Sequence, residues 1–311
     1  MNEQILGLHH ITAIAANAQR NLDFYTKVLG LRLVKKTVNF DDPGTYHFYY
    51  GNEEGIPGTI LTFFPWQHIG QGRNGVGMAT EITYAVPENS LDAWKERLTR
   101  FNIPFAEGTR FGEPYVSFTD PDGLNLSLIV PAKADIRKPW QTEEVKEDIA
   151  TKGFHSLTLS LRRTDGTAAV LTGIFGYRLL AQEGNRYRYV TDAVEHAGII
   201  DLLELPDGKP GYNAAGTNHH VAFRVADDTI LMKFRDKVVS KGLQITPKID
   251  RDYFFSLYFR EPGGVLFEIA TDNPGFTVDE PLDQLGTGLK LPKQYEPIRA
   301  DIEKELPELV G

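Results

Sequence analysis

Short runs rich in β-branched and apolar residues recur along the chain, and each is followed by a stretch whose apolar positions repeat every three or four residues. The strand-like runs begin at Gly7-Leu8-His9-His10-Ile11-Thr12, Met78-Ala79-Thr80-Glu81-Ile82-Thr83, Gly153-Phe154-His155-Ser156-Leu157-Thr158 and Thr217-Asn218-His219-His220-Val221-Ala222. The helical stretches run from Leu22 to Leu29, Leu91 to Leu98, Ala168 to Phe175 and Ile230 to Val239. Strand-rich sequence closes each unit, and in three units a glycine-bearing turn precedes the closing strand: Asp120-Pro121-Asp122-Gly123, Glu261-Pro262-Gly263-Gly264 and Gly198. Pro and Gly supply the fixed or positive φ that such turns need. In the first unit Pro57-Gly58 takes that place.

The spacing predicts four βαβββ modules. From the residue in the His10 position to the residue in the Glu268 position the four separations are 52, 46, 46 and 48, ending at Thr62, Ser127, Leu202 and Glu268. The expected organisation is an N-terminal half, 1–131, with modules 7–65 and 75–131. A linker, 132–151, leads to a C-terminal half, 152–272, with modules 152–207 and 216–272. A proline-punctuated tail, 273–311, then runs over the surface to a last short helix near Asp301 to Leu306. One βαβββ unit leaves an apolar sheet face and open edges, so two must join to enclose a site. The predicted fold is therefore α+β, four modules pairing into two barrel-like domains.

Composition narrows the chemistry. Hydrophobic residues at 41% and charged residues at 24% are those of a packed globular protein. A net charge of −9 repels nucleic-acid phosphates and anionic lipid, so neither is expected as a partner. Self-association is compatible with the pattern, leaving a homo-oligomer open. The first residues carry no basic stretch followed by an apolar one, and no run approaches the roughly 18 apolar residues of a membrane span, so a cytoplasmic protein is expected. With no cysteine in the chain, any metal must be held through His, Asp or Glu.

The four copies disagree most informatively at two positions. On the first strand stand His10, Glu81, Ser156 and His220; on the last, Thr62, Ser127, Leu202 and Glu268. Two imidazoles and one carboxylate make the facial triad that leaves open positions on a non-haem Fe(II). Only joining module one to module four assembles it from His10, His220 and Glu268, so the two ends of the chain are expected to meet. Glu268 lies inside the apolar run Val265-Leu266-Phe267-Glu268-Ile269-Ala270, where a carboxylate is seldom buried without a cation. Strand alternation predicts that His9 and His10 point to opposite faces, as do His219 and His220, leaving His9 and His219 in supporting roles. The remaining histidines, among them His47, His68, His155 and His196, are expected to be structural.

His9-His10-Ile11-Thr12, Asn218-His219-His220-Val221-Ala222-Phe223 and Gly263-Gly264-Val265-Leu266-Phe267-Glu268-Ile269-Ala270 resemble the vicinal oxygen chelate superfamily, which includes glyoxalase I and extradiol dioxygenases. Within it the chain is most similar, over about residues 5 to 300, to the ring-cleaving hydroquinone dioxygenases of the MhqO type. The resemblance implies Fe(II), with Mn(II) compatible, held by His10, His220 and Glu268, and a small aromatic substrate that reacts with O₂. It also implies that Arg251 and Tyr258 line the substrate site and that Thr12 and His219 support it. Ring opening needs a substrate base, for which His9 or His219 is suited, while Arg251 could hold negative charge and Tyr258 could donate a hydrogen bond. Two other readings stay in view: a glyoxalase-type metal-dependent isomerase, for which Thr62 is a poor fourth ligand, and a metal-free module that sequesters aromatic toxicants.

Gly70-Gln71-Gly72-Arg73-Asn74-Gly75 matches the dinucleotide-binding glycine pattern, but a strand-like run from Val76 to Val86 follows where a helix is required. It is expected to be a flexible linker between modules, and no nucleotide cofactor is implied.

Overall fold

The computed structural model describes residues 3–310. Module one comprises β1 (Leu8–Ala15), α1 (Ala18–Asp23, continued by a wider turn over Phe24–Val28), β2 (Arg32–Asn39), β3 (Asp42–Gly51) and β4 (Ile60–Pro65). Module two comprises β5 (Met78–Ala85), α2 (Leu91–Arg100), β6 (Phe105–Arg110), β7 (Glu113–Thr119) and β8 (Asn125–Ile129). Module three comprises β9 (Gly153–Leu161), α3 (Asp165–Gly173), β10 (Arg178–Glu183), β11 (Arg186–Val190) and β12 (Ile199–Glu204). Module four comprises β13 (Thr217–Val225), α4 (Asp228–Ser240), β14 (Ile249–Asp250), β15 (Phe254–Arg260) and β16 (Leu266–Pro274).

Two curled eight-stranded sheets result, one ordered β14-β15-β16-β13-β1-β4-β3-β2 and the other β10-β11-β12-β9-β5-β8-β7-β6. Modules one and four therefore share one sheet, and modules two and three the other. In each module the closing strand lies parallel to the first strand, joined through the helix and a two-strand meander. Local chemistry supports these elements. β1 and β9 are buried along their whole length, as their apolar and β-branched sequence requires, and α4 starts where the Asp227 carboxylate accepts the Ile230 N–H at 2.9 Å.

The first strands pair antiparallel, β1 with β13 and β5 with β9, and each pairing skips one residue on each strand. The unpaired residues are His9, His219, Thr80 and His155. Every module thus carries a β-bulge at the same place, one residue before its informative position. A bulge sets two residues against one and re-aims their side chains.

The turns before the closing strands lock the two sheets together. Asp120 accepts the backbone N–H groups of Asp122 and Leu124 at 2.9 and 2.8 Å and the Tyr25 hydroxyl at 3.1 Å. Glu261 repeats the pattern with Gly263, Val265 and the Thr167 hydroxyl at 2.7, 2.8 and 2.7 Å. Module two's turn therefore grips module one's helical segment, and module four's turn grips α3. Gly123 and Gly264 hold φ of +91° and +98°. In module three the positive φ falls on Ala197, at 55°, and not on Gly198.

Two connecting segments depart from expectation. The glycine-rich stretch at 70–75 is no flexible linker: its backbone bonds to Tyr212 and Ala215, and a Cβ on Gly75 would lie 2.4 Å from the Lys209 carbonyl, so close chain approach explains that glycine. The tail is stapled to the first sheet. Lys35, with no exposed surface, pairs with Asp279 at 2.5 Å and with Glu280, while Phe276 packs against Tyr49 and Tyr253. The chain then ends in α5 (Arg299–Glu305).

Candidate metal centre and its cavity

Pairing β1 with β13, and β13 with β16, brings the two ends of the sequence together. His10 Nε2 and His220 Nε2 lie 3.2 and 2.9 Å from Glu268 Oε2 and 3.4 Å from each other. All three side chains are buried, Glu268 completely. Among the described residues they are the one group of three with metal-ligand character.

Hydrogen-bond directions decide whether this is a proton-sharing cluster or a cation site. His9 Nε2 faces the Thr271 carbonyl at 3.0 Å, and a carbonyl can only accept, so this nitrogen carries the proton. Burial keeps His9 neutral by holding its pKa well below the ordinary value, so its Nδ1 is bare. His10 Nδ1, 2.9 Å away, must then donate to it, and a neutral His10 therefore turns a bare Nε2 toward Glu268. The His219 and His220 Nδ1 atoms meet the same way at 2.8 Å, and burial also holds His220 below its ordinary pKa. Glu268 is buried beside these two imidazoles. Its Oε1 accepts from Ser256, while Oε2 has no hydrogen-bond partner.

Three acceptors thus converge without a donor between them, which is the condition a cation relieves. Bonds of about 2.1 Å at right angles put neighbouring ligands about 3 Å apart, close to the spacing here. The residues present fit a divalent metal.

The bulges correct the expectation from strand alternation. His9 and His10 do not point to opposite faces; the unpaired residue turns its ring back against its neighbour, with His9 and His10 ring centroids 5.1 Å apart and His219 and His220 the same. His9 sits behind His10, with one nitrogen on Thr271 and the other on His10, and does not reach the cavity wall. The expectation of His9 as a base is not met by this placement. His219 does line the cavity. Its Nδ1 lone pair takes the His220 proton when His220 presents a bare Nε2, so its Nε2 is an N–H and a donor. Burial keeps His219 neutral, its pKa down to about 3.

A cavity of about 390 Å³ opens over His10 and His220. Thr12, Arg251 and Tyr258 are among the residues that line it. Arg251 Nε donates to the Tyr258 hydroxyl at 3.3 Å, and its guanidinium lies 5.4 Å from the Phe40 ring and 3.7 Å from exposed Asp41. Burial, with Glu268 nearby, raises the Tyr258 pKa, so this phenol stays protonated.

His47, expected to be structural, also lines the cavity. Its Nδ1 shares a hydrogen bond with the Tyr49 hydroxyl at 2.9 Å and its Nε2 one with the Thr62 hydroxyl at 2.9 Å, which lies 2.9 Å from the Thr12 hydroxyl. The repeat held the signal for this pair: Tyr49 pairs with Thr62 as Tyr258 pairs with Glu268, so His47 and Ser256 are counterparts two residues earlier. Registers also correct the last-strand position in module three. Thr158 pairs with Asp201 as Ala222 pairs with Glu268, so Asp201, not Leu202, is the counterpart.

The chain belongs to the Glyoxalase/Bleomycin resistance protein/Dioxygenase superfamily, whose sequence profile matches residues 7–128 and 153–269. Maize glyoxalase I shares the fold, with a TM-score of 0.64 at 13% identity over 86% of this chain and 92% of that one. Among relatives, MhqO of Bacillus subtilis strain 168, which carries the name of a ring-cleaving dioxygenase, is 47% identical over 98% of this chain and 97% of its own. The chlorohydroquinone/hydroquinone 1,2-dioxygenase of Sphingobium indicum is 36% identical over 96% and 95%. A Bacillus subtilis crystal structure described as a dioxygenase superimposes with a TM-score of 0.95 at 46% identity, covering 99% of both chains.

Proposed function

We propose that this protein is an Fe(II)-dependent dioxygenase that opens the ring of a hydroquinone or catechol-type aromatic, in detoxification or aromatic catabolism. The observation that carries the reading is a buried His-His-carboxylate acceptor set beneath a cavity ringed by hydrogen-bond donors. The full-length likeness to proteins named for ring cleavage and for hydroquinones supports it.

His10, His220 and Glu268 would hold the metal, which supplies adjacent open positions for an ionised phenol and O₂ and a path for charge between them. The other groups act on the ring's oxygens. Arg251 and the Tyr258 and Thr12 hydroxyls offer protons to the cavity, as does His219 Nε2, which suits a ring that develops negative charge on oxygen. Aromatic walls from Phe64, Trp66 and Phe254 exclude water and match a planar substrate. His9 fixes the tautomer and direction of His10 through the Thr271 carbonyl.

A glyoxalase-type isomerase would be helped by a fourth ligand, and the Thr62 hydroxyl is already engaged by His47 and Thr12. The test is metal analysis of anaerobically purified protein followed by O₂ uptake with methylhydroquinone and catechols. Stoichiometric iron with uptake and a ring-opened product mass is the expected result; zinc or nickel without uptake, or no metal, overturns it.

A further inference from the structure

The sheet of modules two and three encloses its own cavity, of about 670 Å³. Where the first sheet places His10, His220 and Glu268, this one places Glu81, Ser156 and Asp201, and its cations are guanidinium groups. Arg188 is fully engaged: it forks onto Asp201 at 2.9 and 3.0 Å and reaches Glu113 at 2.6 Å. Arg110 and Arg186, which line the cavity, are not. Arg110, its side chain only 8% exposed, gives Nη2 to Glu81 at 3.0 Å and leaves Nη1 without a partner. Arg186 gives Nη1 to the Thr158 hydroxyl at 2.8 Å, while its nearest carboxylate oxygens, on Asp201 and Glu81, stand off at 3.7 and 3.9 Å.

Glu81 cannot close these forks. It already accepts from Arg110, from Ser127 at 2.6 Å and from Thr158 at 3.3 Å. The cavity wall therefore carries two guanidinium groups with donors left over beside one saturated carboxylate, in a network whose three guanidinium groups face three carboxylates, Glu81, Asp201 and Glu113. Phe105, Tyr115, Phe118, Leu203 and Leu205 make much of the remaining wall apolar. Open, planar guanidinium donors beside an apolar wall are the complement of a small organic monocarboxylate, whose two oxygens match a guanidinium fork and whose body takes the apolar side.

We propose that the second barrel is a binding site for a small aromatic or aliphatic monocarboxylate, recognised by Arg186 together with Arg110. The site needs no metal and stands apart from the reading of the first barrel.

Titration calorimetry on the intact, metal-loaded protein with benzoate, its neutral isostere benzamide, and inorganic phosphate tests it. Saturable benzoate binding is expected, with benzamide weaker by about tenfold or more, the range of charge-assisted hydrogen bonds. R186Q should weaken benzoate to a similar degree, and E81Q, which frees Arg110, should strengthen it; R251Q in the first cavity should leave it unchanged. Unaltered O₂ uptake and circular dichroism in R186Q confirm that the variant folds. Equal binding of benzamide, equal binding by R186Q, phosphate binding as tight as benzoate, or loss of benzoate binding in R251Q overturns the proposal. Since the readout is binding, failure of the dioxygenase reading would appear separately, as absent metal or absent O₂ uptake.

Discussion

The two barrels share strand order, bulges and turns, yet they balance buried charge in opposite ways. Around Glu268 the first barrel places two imidazole lone pairs and supplies no cation within the triad itself. Around Glu81, Asp201 and Glu113 the second places Arg110, Arg186 and Arg188. One presents a group that could hold a metal; the other carries its cations on the chain. The bulge that sets His9 edge-on to His10 and His219 edge-on to His220 is also present at Thr80 and His155, where no such histidine pair follows. The scaffold therefore does not make the metal site; three residue choices on it do, and the bulge provides each ligand with a neighbour close enough to orient it.

The largest effect that separates the barrels is loss of the carboxylate. E268Q should abolish stoichiometric metal and lower turnover by more than about a hundredfold, the upper end for merely orienting partners. E81Q, in the matching barrel, should keep both. Metal content by mass spectrometry and O₂ uptake check this pair, and an E268Q protein that keeps its metal would remove the proposed centre.

Charge removal on the other side should reverse the pattern. R188M leaves Asp201 and Glu113 buried without their guanidinium partner, and breaking a buried pair from one side costs about 3–5 kcal/mol. Urea unfolding should show that loss while metal content stays at the parent level. A stable R188M protein would mean that water reaches those carboxylates and that the ion network is not what holds the second barrel.

Much of this contrast was legible in the sequence because ligand chemistry differs by residue type among the four copies. The pairing of modules one and four followed from His10, His220 and Glu268 before any geometry. What stayed hidden has physical causes. A bulge has no residue signature here, since His9, His155 and His219 sit as readily in an unbroken strand and the fourth bulged residue, Thr80, is an ordinary β-branched strand former, so strict alternation put His9 on the wrong face. The counterpart of Glu268 in module three slipped by one, to Leu202, because the positive-φ residue before β12 is Ala197 and not the glycine that marks the other turns. The roles of His47 and Tyr49 depend on a third strand whose aromatic run, Tyr46-His47-Phe48-Tyr49-Tyr50, reads as core. Lys35 looks like a surface residue, and only the returning tail buries it.

The bulge offers a finer test of the comparison. H9F keeps an aromatic body but removes the nitrogen that receives the His10 proton, so His10 is free to rotate or change tautomer. Metal affinity should fall about 10- to 100-fold, as for other groups that orient a ligand. H155F alters the matching residue of the other barrel and should leave affinity unchanged. Competition with a chelator measures both, and equal affinities in H9F and the parent would show that the buried histidine is packing alone.

The smallest expected effect compares the two turn carboxylates that bind the barrels together. Asp120 and Glu261 hold corresponding backbone N–H groups, and burial raises both pKa values, Asp120 from 3.8 to about 6. The folded chain thus binds the Asp120 proton more tightly than the unfolded chain does. This group adds stability that is fully present below about pH 4 and is lost as pH rises through 6. D120N keeps an acceptor for the Asp122 and Leu124 N–H groups and cannot ionise. Urea midpoints taken from pH 4 to pH 7 should therefore fall less steeply for D120N than for the parent. If the two profiles run parallel, Asp120 titrates alike in both states, and its bond to Tyr25 is no seat of pH dependence between the barrels.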